Sequence, residues 1–236
     1  MRPVSAPIHL RPTAELAERV LLPGDPHRAL AVAQVVLDQP RMFNHARGLW
    51  GYTGTAQDGE PLSVQSTGMG GPSAAIVVEE LIDLGARTLI RIGTCGALAA
   101  GCELGELVVA REVLSADGTS TALAGRERLD PDPDLTTALE RAGARPVTAV
   151  STDVFYERRP AVERGWVQAG AQVVEMEAAT VLAVAGRRDA RAAVLLAVSD
   201  LLEGGERRRL DVEGVEAAGV RLGEAAWAAL ANGRTG

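Results

Sequence analysis

Residues 88–96 of the chain read Thr88-Leu89-Ile90-Arg91-Ile92-Gly93-Thr94-Cys95-Gly96. The first five residues form a short apolar run, which is typical of a buried β-strand, and the glycines from Gly93 to Gly101 predict a loop after it. Arg91 interrupts the run, and a guanidinium is costly to bury unless an anion or a carboxylate pairs with it. Two interpretations are open: a structural ion pair, or an oxyanion site completed by Thr94 and the glycine amides.

Strand-type and helix-type patterns alternate around this stretch. Strands are predicted at 19–22, 52–55, 61–67, 88–92, 106–110, 147–150, 172–174 and 192–198, and helices at 28–36, 72–85, 135–142, 162–169, 176–185 and 215–230. Asp58-Gly59 predicts a hairpin turn with both residues at positive φ. The alternation predicts an α/β fold whose largely parallel or mixed sheet is covered on both faces. A single domain is expected over residues 1–236.

The composition argues against several classes of function. The formal net charge of -7 creates no general attraction for nucleic acid or for an anionic membrane surface. The chain has neither a 20-residue apolar run nor a signal-peptide pattern at its start, and Cys95 and Cys102 match no zinc or disulfide-exchange motif. The three histidines have no metal-ligand spacing. A cytoplasmic protein without a metal or an organic cofactor is expected.

Two glycine-rich loops besides 93–101 follow predicted strands. In Gly24–Arg28 the glycine lets the backbone approach an anion, and Arg28 adds charge, although an ordinary strand-to-helix turn fits as well. The stretch Gly68–Ser73 fails the dinucleotide fingerprint because Ser73 stands at the third glycine position, so tight packing is the better interpretation. Residues 96–103 likewise lack the lysine of a P-loop.

Three acidic residues lie at strand ends. Of Glu175 and Glu177, one is expected to cap the following helix and the other to face a cleft, where a carboxylate can accept hydrogen bonds from sugar hydroxyls. Asp200 follows the apolar run 195–199 and is equally compatible with a turn or a helix cap. The aromatic pair Phe155-Tyr156 belongs either to the core or to a face on which a planar base stacks.

Taken together, these segments resemble the nucleoside phosphorylase family, which includes hexameric bacterial purine nucleoside phosphorylase and uridine phosphorylase. The matching stretches, in family order, are Leu22–Arg28, Arg47–Gly54, Gly68–Ser73, Arg91–Gly96, Val174–Ala178 and Val198–Asp200. The resemblance implies a three-layer α/β/α domain with a mixed, partly barrel-like central sheet. It also implies reversible phosphorolysis of purine (deoxy)ribonucleosides to free base and (deoxy)ribose 1-phosphate, in purine salvage.

The resemblance further implies a role for each matching residue. Inorganic phosphate, the co-substrate, is assigned to Gly24, Arg28, Arg91 and Thr94, with Arg47 reaching in from a neighbouring subunit. The ribose is assigned to Met176 and Glu177 with a neighbour's His9, and the base to Cys95, Gly96, Phe155, Val174, Glu175, Ser199 and Asp200. Asp200 is the expected general acid toward purine N7. The implied assembly is a homohexamer, a trimer of dimers, with His9 and Arg47 donated across the dimer interface.

Some features leave alternatives open. Gly93-Thr94 and Gly70–Ser73 resemble uridine phosphorylase, whereas Cys95-Gly96 and Ser199-Asp200 resemble the purine enzymes, and 155–174 lacks the insertion that reads uracil; purine is favoured. A hydrolytic nucleosidase would need no phosphate-binding arginines, and a non-catalytic nucleoside-binding protein would need neither Glu177 nor Asp200.

One departure from the family pattern concerns the arginine that assists the catalytic aspartate in some purine members. Glu213 falls near its place. Arg207, Arg208 or Arg209 could substitute if the stretch 203–209, the best candidate for a mobile loop, closes over the site.

Overall fold

The computed structural model describes residues 7–98, 100–201 and 207–232, and strands alternate with helices along this part of the chain. The strands are β1 (Arg19–Pro23), β2 (Leu37–Asn44), β3 (Gly51–Ala56), β4 (Pro61–Gln65), β5 (Thr88–Ala97), β6 (Leu107–Ala116), β7 (Arg128–Leu129), β8 (Arg145–Thr152), β9 (Val173–Glu175), β10 (Arg191–Leu201) and β11 (Arg208–Arg209). The α-helices are α1 (Pro26–Val36), α2 (Gly71–Asp83), α3 (Gly118–Ala124), α4 (Pro133–Arg141), α5 (Pro160–Gln168), α6 (Ala178–Arg187) and α7 (Val212–Asn232). A single 3-10 turn covers Ala46–Gly48.

These strands form one mixed sheet that partly closes on itself. Strand β5 pairs in parallel with β10 and antiparallel with β9, while β10 continues through β6 and β8 back to β9. Those five strands therefore make a barrel. From β5 the sheet extends outward through β1, β4, β3 and β2. The expected mixed, partly barrel-like sheet is confirmed.

Helices cover both faces of the sheet, as predicted for a three-layer fold. Helices α2, α3 and α6 pack together on one face, where Val77 and Leu81 of α2 are fully buried. Helices α1, α4 and α7 pack on the other, around Val32 of α1 and Leu222 of α7. The two largest apolar clusters therefore lie on opposite sides of the sheet, and a small third one consists of Leu114, Val150 and Ala171. Helix α5 differs, because none of its residues is buried.

Several local predictions were wrong, and pairing between strands explains most of them. The predicted loop after Ile92 is strand as far as Ala97, because Gly93 to Ala97 continue the ladder with β10. Strand β2 was missed, since its sequence contains Pro40 and mostly polar residues and only pairing with β3 defines it. Helix α3 was also missed; Asp117 caps it by accepting a hydrogen bond from the Ser120 amide.

The predicted hairpin turn is present between β3 and β4. In it only Gly59, and not Asp58, has positive φ, and the Gly59 amide donates to the Ala56 carbonyl. Of the stretch 203–209, which was predicted to be mobile, residues 203–206 lie outside the described residues. Its last residues, Arg208 and Arg209, form a strand antiparallel to β10.

Candidate active site

A cleft of about 780 Å³ lies where several strands of the barrel end. It is lined by every predicted site residue except His9: Gly24, Arg28, Arg47, Arg91, Thr94, Cys95, Gly96, Phe155, Val174, Glu175, Met176, Glu177, Ser199 and Asp200. The parallel strands β1, β5 and β10 bring their carboxyl ends to the same edge of the sheet, as ligand sites of α/β folds require. Strand pairing therefore gathers segments that are far apart in sequence.

Arg91 is buried at the centre of the cleft wall and is bonded to two carboxylates. Its Nε donates to Glu175 Oε2 at 2.8 Å and its Nη2 donates to Glu177 Oε2 at 2.5 Å. Its Nη1 is buried without a hydrogen-bond partner in the described part of the chain. A methyl group built on Gly24 would lie 4.0 Å from this nitrogen. The structural ion pair is therefore present, and one donor still points toward the Gly24 loop.

The charge of Arg91 is stabilised by these partners. Burial alone would lower the pKa of its guanidinium, but the Glu177 and Glu175 carboxylates outweigh burial and raise the pKa. Arg91 is buried, stays charged and has one nitrogen without a partner among the described residues. Such an arginine is suited to binding an anion.

Glu175 is the best-satisfied carboxylate of the site. It accepts hydrogen bonds from Arg91, from the amides of Glu177 and Ala178 at 2.9 Å, and from the Ser151 hydroxyl. The Ala178 amide opens α6, so Glu175 is the carboxylate that caps this helix, as expected for one of the pair. These hydrogen bonds indicate that Glu175 holds Arg91 and Glu177 in position.

Glu177 faces the cleft and joins Arg91 to the Gly68–Gly71 loop. Its Oε1 accepts a hydrogen bond from the Gly70 amide at 2.5 Å. Burial raises the pKa of this carboxyl, and the neighbouring Glu175 carboxylate raises it further, while Arg91 and the Gly70 amide act in the opposite direction. The loop that the sequence assigned to tight packing therefore also positions a site residue, and its Gly68 and Met69 line the cleft.

Arg28 projects from the first turn of α1 into the same end of the cleft. Burial lowers the pKa of its guanidinium, and the positive charge of Arg91 lowers it as well. Asp25 caps the helix by accepting a hydrogen bond from the His27 amide at 2.8 Å. The guanidinium groups of Arg28 and Arg91 repel each other near the N-terminus of α1. An anion bound between them is favourable, because it relieves this repulsion and accepts hydrogen bonds.

Asp200 lies at the other end of the cleft and is held by its own neighbours. Its Oδ2 accepts a hydrogen bond from the Ser199 hydroxyl at 2.7 Å, and its Oδ1 lies 2.8 Å from Arg207 Nε and 3.2 Å from Arg209 Nε. The pairing of β11 with β10 places Arg209 directly beside Asp200. Of the three arginines considered from the sequence, Arg207 and Arg209 reach the carboxylate, and Arg208 does not line the cleft.

The aromatic pair lies over the Asp200 end. Phe155 is 50% exposed and Tyr156 is 75% exposed, and the two rings meet edge to face with centroids 5.0 Å apart. The Arg207 guanidinium carbon is 5.3 Å from the centre of the Phe155 ring. These aromatics are not part of the core, so their position supports the stacking interpretation.

His9 is the predicted site residue that the cleft does not contain. Its Nδ1 lies 2.7 Å from Glu80 Oε1, and the same carboxylate accepts hydrogen bonds from the backbone amides of Ile8, His9 and Leu10. These hydrogen bonds lower the pKa of Glu80, although burial raises it. Arg47, the other residue expected to serve a neighbour, lines the cleft of its own chain. A role of either residue across an interface stays a prediction.

The sequence missed part of the cleft wall. Glu157, Arg158, Glu163 and Trp166, from α5 and the segment before it, also line the cleft. These residues match no motif, and none of the residues of α5 is buried. Within 7–98, 100–201 and 207–232 no cluster of histidine, cysteine and acidic residues has the makings of a metal site. No helix in those same ranges is long and apolar enough to cross a membrane.

Comparison with known proteins agrees with this geometry. The family model described as the phosphorylase superfamily matches residues 18–231. The chain is 42% identical over 204 residues to the DeoD-type purine nucleoside phosphorylase of Geobacillus kaustophilus, covering 82% of this chain and 85% of that protein. It is 38% identical over 201 residues to the DeoD-type purine nucleoside phosphorylase of Roseobacter denitrificans, covering 81% and 86%.

We expect Gly93→Ala to weaken the binding of inorganic phosphate about tenfold. A methyl group at Gly93 would lie 2.7 Å from Arg91 Nη2 and 2.9 Å from its Cζ, so the guanidinium must move and its bond to Glu177 must weaken. Losing one charge-assisted hydrogen bond corresponds to about 1.5 kcal/mol. Isothermal titration with phosphate measures the effect. Gly186→Ala, whose methyl group meets open space, is the matched control, and unchanged affinity in Gly93→Ala would contradict this account of Arg91.

Proposed function

Because this chain belongs to the phosphorylase superfamily, we propose that it catalyses the reversible phosphorolysis of purine ribo- and deoxyribonucleosides. The products are the free base and (deoxy)ribose 1-phosphate, and the reaction serves purine salvage. The observation that carries the proposal is Arg91, which binds the carboxylates of Glu175 and Glu177 and keeps Nη1 open toward Gly24. Relatives named purine nucleoside phosphorylase support the choice of a purine.

Phosphate binds at the Arg91 end of the cleft. Arg28 and Arg91 neutralise its charge, Arg47 adds a third guanidinium, and the Gly24 backbone and the Thr94 hydroxyl lie within the same wall. Bound there, a phosphate oxygen attacks C1′ as the glycosidic bond breaks. The negative charge of the nucleophile stabilises the oxocarbenium-like transition state.

The sugar binds beside Glu177 and Met176. A carboxylate accepts hydrogen bonds from two hydroxyls at once, which fixes the rotation of the ribose. Because Glu177 is bonded to the phosphate-binding Arg91, the sugar anchor and the nucleophile site are held in a common framework. Such fixed placement of two reactants lowers the entropic part of the barrier.

The base occupies the Asp200 end, between Phe155 and the strand residues Cys95, Gly96 and Val174. Asp200 in its acid form donates a proton to purine N7 and so makes the base a better leaving group. Arg207 and Arg209 contact Asp200 Oδ1 and stabilise the carboxylate that remains after the transfer. They thereby take over from the arginine that assists the aspartate in some purine members of the family. In this chain Glu213 falls near the place of that arginine. Phosphate is the co-substrate, and we propose no cofactor.

We also propose a homohexamer built as a trimer of dimers, with one domain per chain and a cytoplasmic location. The free thiols of Cys95 and Cys102 fit a reducing compartment. Ile8 is exposed beside the His9–Glu80 pair, Ile76 is exposed one turn before Glu80 on α2, and Met69 is exposed just before α2 begins. Exposed apolar side chains of this kind favour docking of a partner, and docking there would carry His9 toward the partner's ribose.

The first test compares substrates with and without phosphate. We expect inosine, guanosine or adenosine to release free base only when phosphate is present, with stoichiometric ribose 1-phosphate, and uridine to react poorly. Reversed-phase chromatography and a coupled assay for the sugar phosphate measure both products. Release of base without phosphate would identify a hydrolytic nucleosidase, and preference for uridine would identify the pyrimidine enzyme; either result would overturn the proposal.

The second test concerns the proton donor. We expect Asp200→Ala to lower kcat for inosine by about 10²- to 10⁴-fold, and Arg207→Ala by about tenfold. For 7-methylguanosine, whose N7 is already alkylated and cationic, both losses should shrink because no proton is needed there. Steady-state kinetics with the two substrates measure this, and Arg208→Ala is the matched control. Equal losses with both substrates would remove the acid role from Asp200.

The third test asks whether Arg47 crosses between subunits. Arg47→Ala and Arg91→Ala are each expected to be nearly inactive. When dimers form from equal amounts of the two, half are mixed and one site in each mixed dimer is complete, so about a quarter of wild-type activity should return. The rates are measured on oligomers whose mixed composition has been verified by mass spectrometry. Absence of recovery would show that Arg47 serves its own chain, whose cleft it lines.

A further inference from the structure

Asn44, the last residue of β2, is a fully buried side chain that does not itself line the cleft. It stands three residues before Arg47, at the start of the short turn that carries this arginine. Apolar packing does not explain why an amide side chain is buried at this position. We propose that Asn44 is a positioning residue that holds the Arg47 turn in its phosphate-binding conformation, an inference that rests on the proposed function.

The side-chain amide of Asn44 makes four hydrogen bonds to backbone groups, and three of them join it to residues near Arg47. Its Nδ2 donates to the Leu49 carbonyl at 2.5 Å and to the Ala46 carbonyl at 3.4 Å. Its Oδ1 accepts from the Ala46 amide at 3.3 Å and from the Arg11 amide at 2.9 Å. The residues immediately before and shortly after Arg47 are therefore tied to one buried side chain.

The backbone of Arg47 needs such support. Its φ and ψ are 58° and 18°, in the left-handed region, and Gly48 follows with φ 70°. Glycine adopts this conformation freely, but a residue with a side chain does so only where the surroundings impose it. Strained backbone held by neighbouring groups is common at functional sites. Without the bonds of Asn44, the turn is free to relax to ordinary dihedral angles and to move the guanidinium.

The backbone after Arg47 is held by other side chains as well as by Asn44. The backbone before Arg47 therefore depends more strongly on Asn44. Gln65 Nε2 also donates to the Leu49 carbonyl, at 3.0 Å, and the Ser66 hydroxyl donates to the Trp50 carbonyl at 2.9 Å. Leu49 and Trp50 thus stay attached to β4 when Asn44 is altered. Among the described residues, Asn44 is the only side chain that bonds to the backbone of Ala46, so that side is expected to move.

The side chain of Arg47 has no anchor of its own. In the described ranges its guanidinium makes no hydrogen bond or ion pair with the protein, although it lines the cleft. Its position is therefore set by its backbone, and the backbone is set by Asn44. Altering Asn44 should then weaken phosphate binding selectively and leave the sugar and base ends of the cleft as they are.

The test is Asn44→Asp, which keeps the shape of the side chain and its Oδ1 acceptor but replaces the donor group by an oxygen facing two carbonyls. We expect the KM for phosphate to rise about tenfold, which matches the loss of a buried hydrogen bond, with the nucleoside KM and kcat at saturating phosphate changed less than about twofold. Thr136→Val in α4 is the matched control, because it also removes a buried side-chain bond, to the Asp132 carbonyl at 2.8 Å; it should leave the phosphate KM unchanged.

A double variant separates positioning from general destabilisation. Because Arg47→Ala is expected to be nearly inactive, phosphate binding in this background is measured by isothermal titration. There Asn44→Asp should cause no further loss of phosphate affinity, because both changes act through the same guanidinium. An unchanged phosphate KM in Asn44→Asp alone, or an equal loss of affinity in the Arg47→Ala background, would overturn the inference. If Asn44→Asp does not fold, Asn44→Ser undergoes the same comparison. Failure of the proposed function is distinguishable, because wild-type enzyme would then release base without phosphate.

Discussion

The buried contact of Arg91 with Glu175 and Glu177 is the interaction around which this cleft is organised. A guanidinium and two carboxylates in a dry interior are tolerable only when nearly every donor and acceptor has a partner. The partners come from the start of α6, from Ser151 on β8 and from the Gly70 amide. One ion network therefore connects the barrel, a helix and a loop, and it leaves Nη1 of Arg91 without a partner among the described residues.

The order of the chemistry along the cleft follows from strand pairing. Leu22 of β1 pairs with Arg91 of β5, so the Gly24 loop opens beside the guanidinium. Further along the same strand, Gly96 pairs with Asp200 of β10. The four residues between Arg91 and Gly96 thus separate an arginine-rich end of the cleft from an acidic end, as the proposed ligand requires, with its charged group at one side and its planar ring at the other.

Predictions from the sequence succeeded where residue chemistry is local and failed where partners are distant. A charged residue inside an apolar strand, such as Arg91, indicates either an ion pair or a ligand site. The ion pair is present, and the unbonded Nη1 is compatible with a ligand site as well. The loop predicted from Gly93 is instead strand, because glycine content indicates local freedom and cannot reveal that β10 lies alongside. The helix α5 itself was predicted, but its place in the cleft wall was missed, because its lining residues match no motif and none of its residues is buried.

By itself, the sequence determined the α/β alternation and the family, and it picked out most of the residues that line the cleft, because periodicity and residue type are local properties. Only the tertiary structure decided which carboxylate caps α6 and which faces the cleft, and that Arg207 and Arg209 rather than Arg208 reach Asp200. The tertiary structure also showed that Asn44 bonds to the backbone of the turn that carries Arg47. The physical reason is that hydrogen bonds between residues far apart in the chain depend on strand register and on side-chain direction, and neither is encoded in a local pattern.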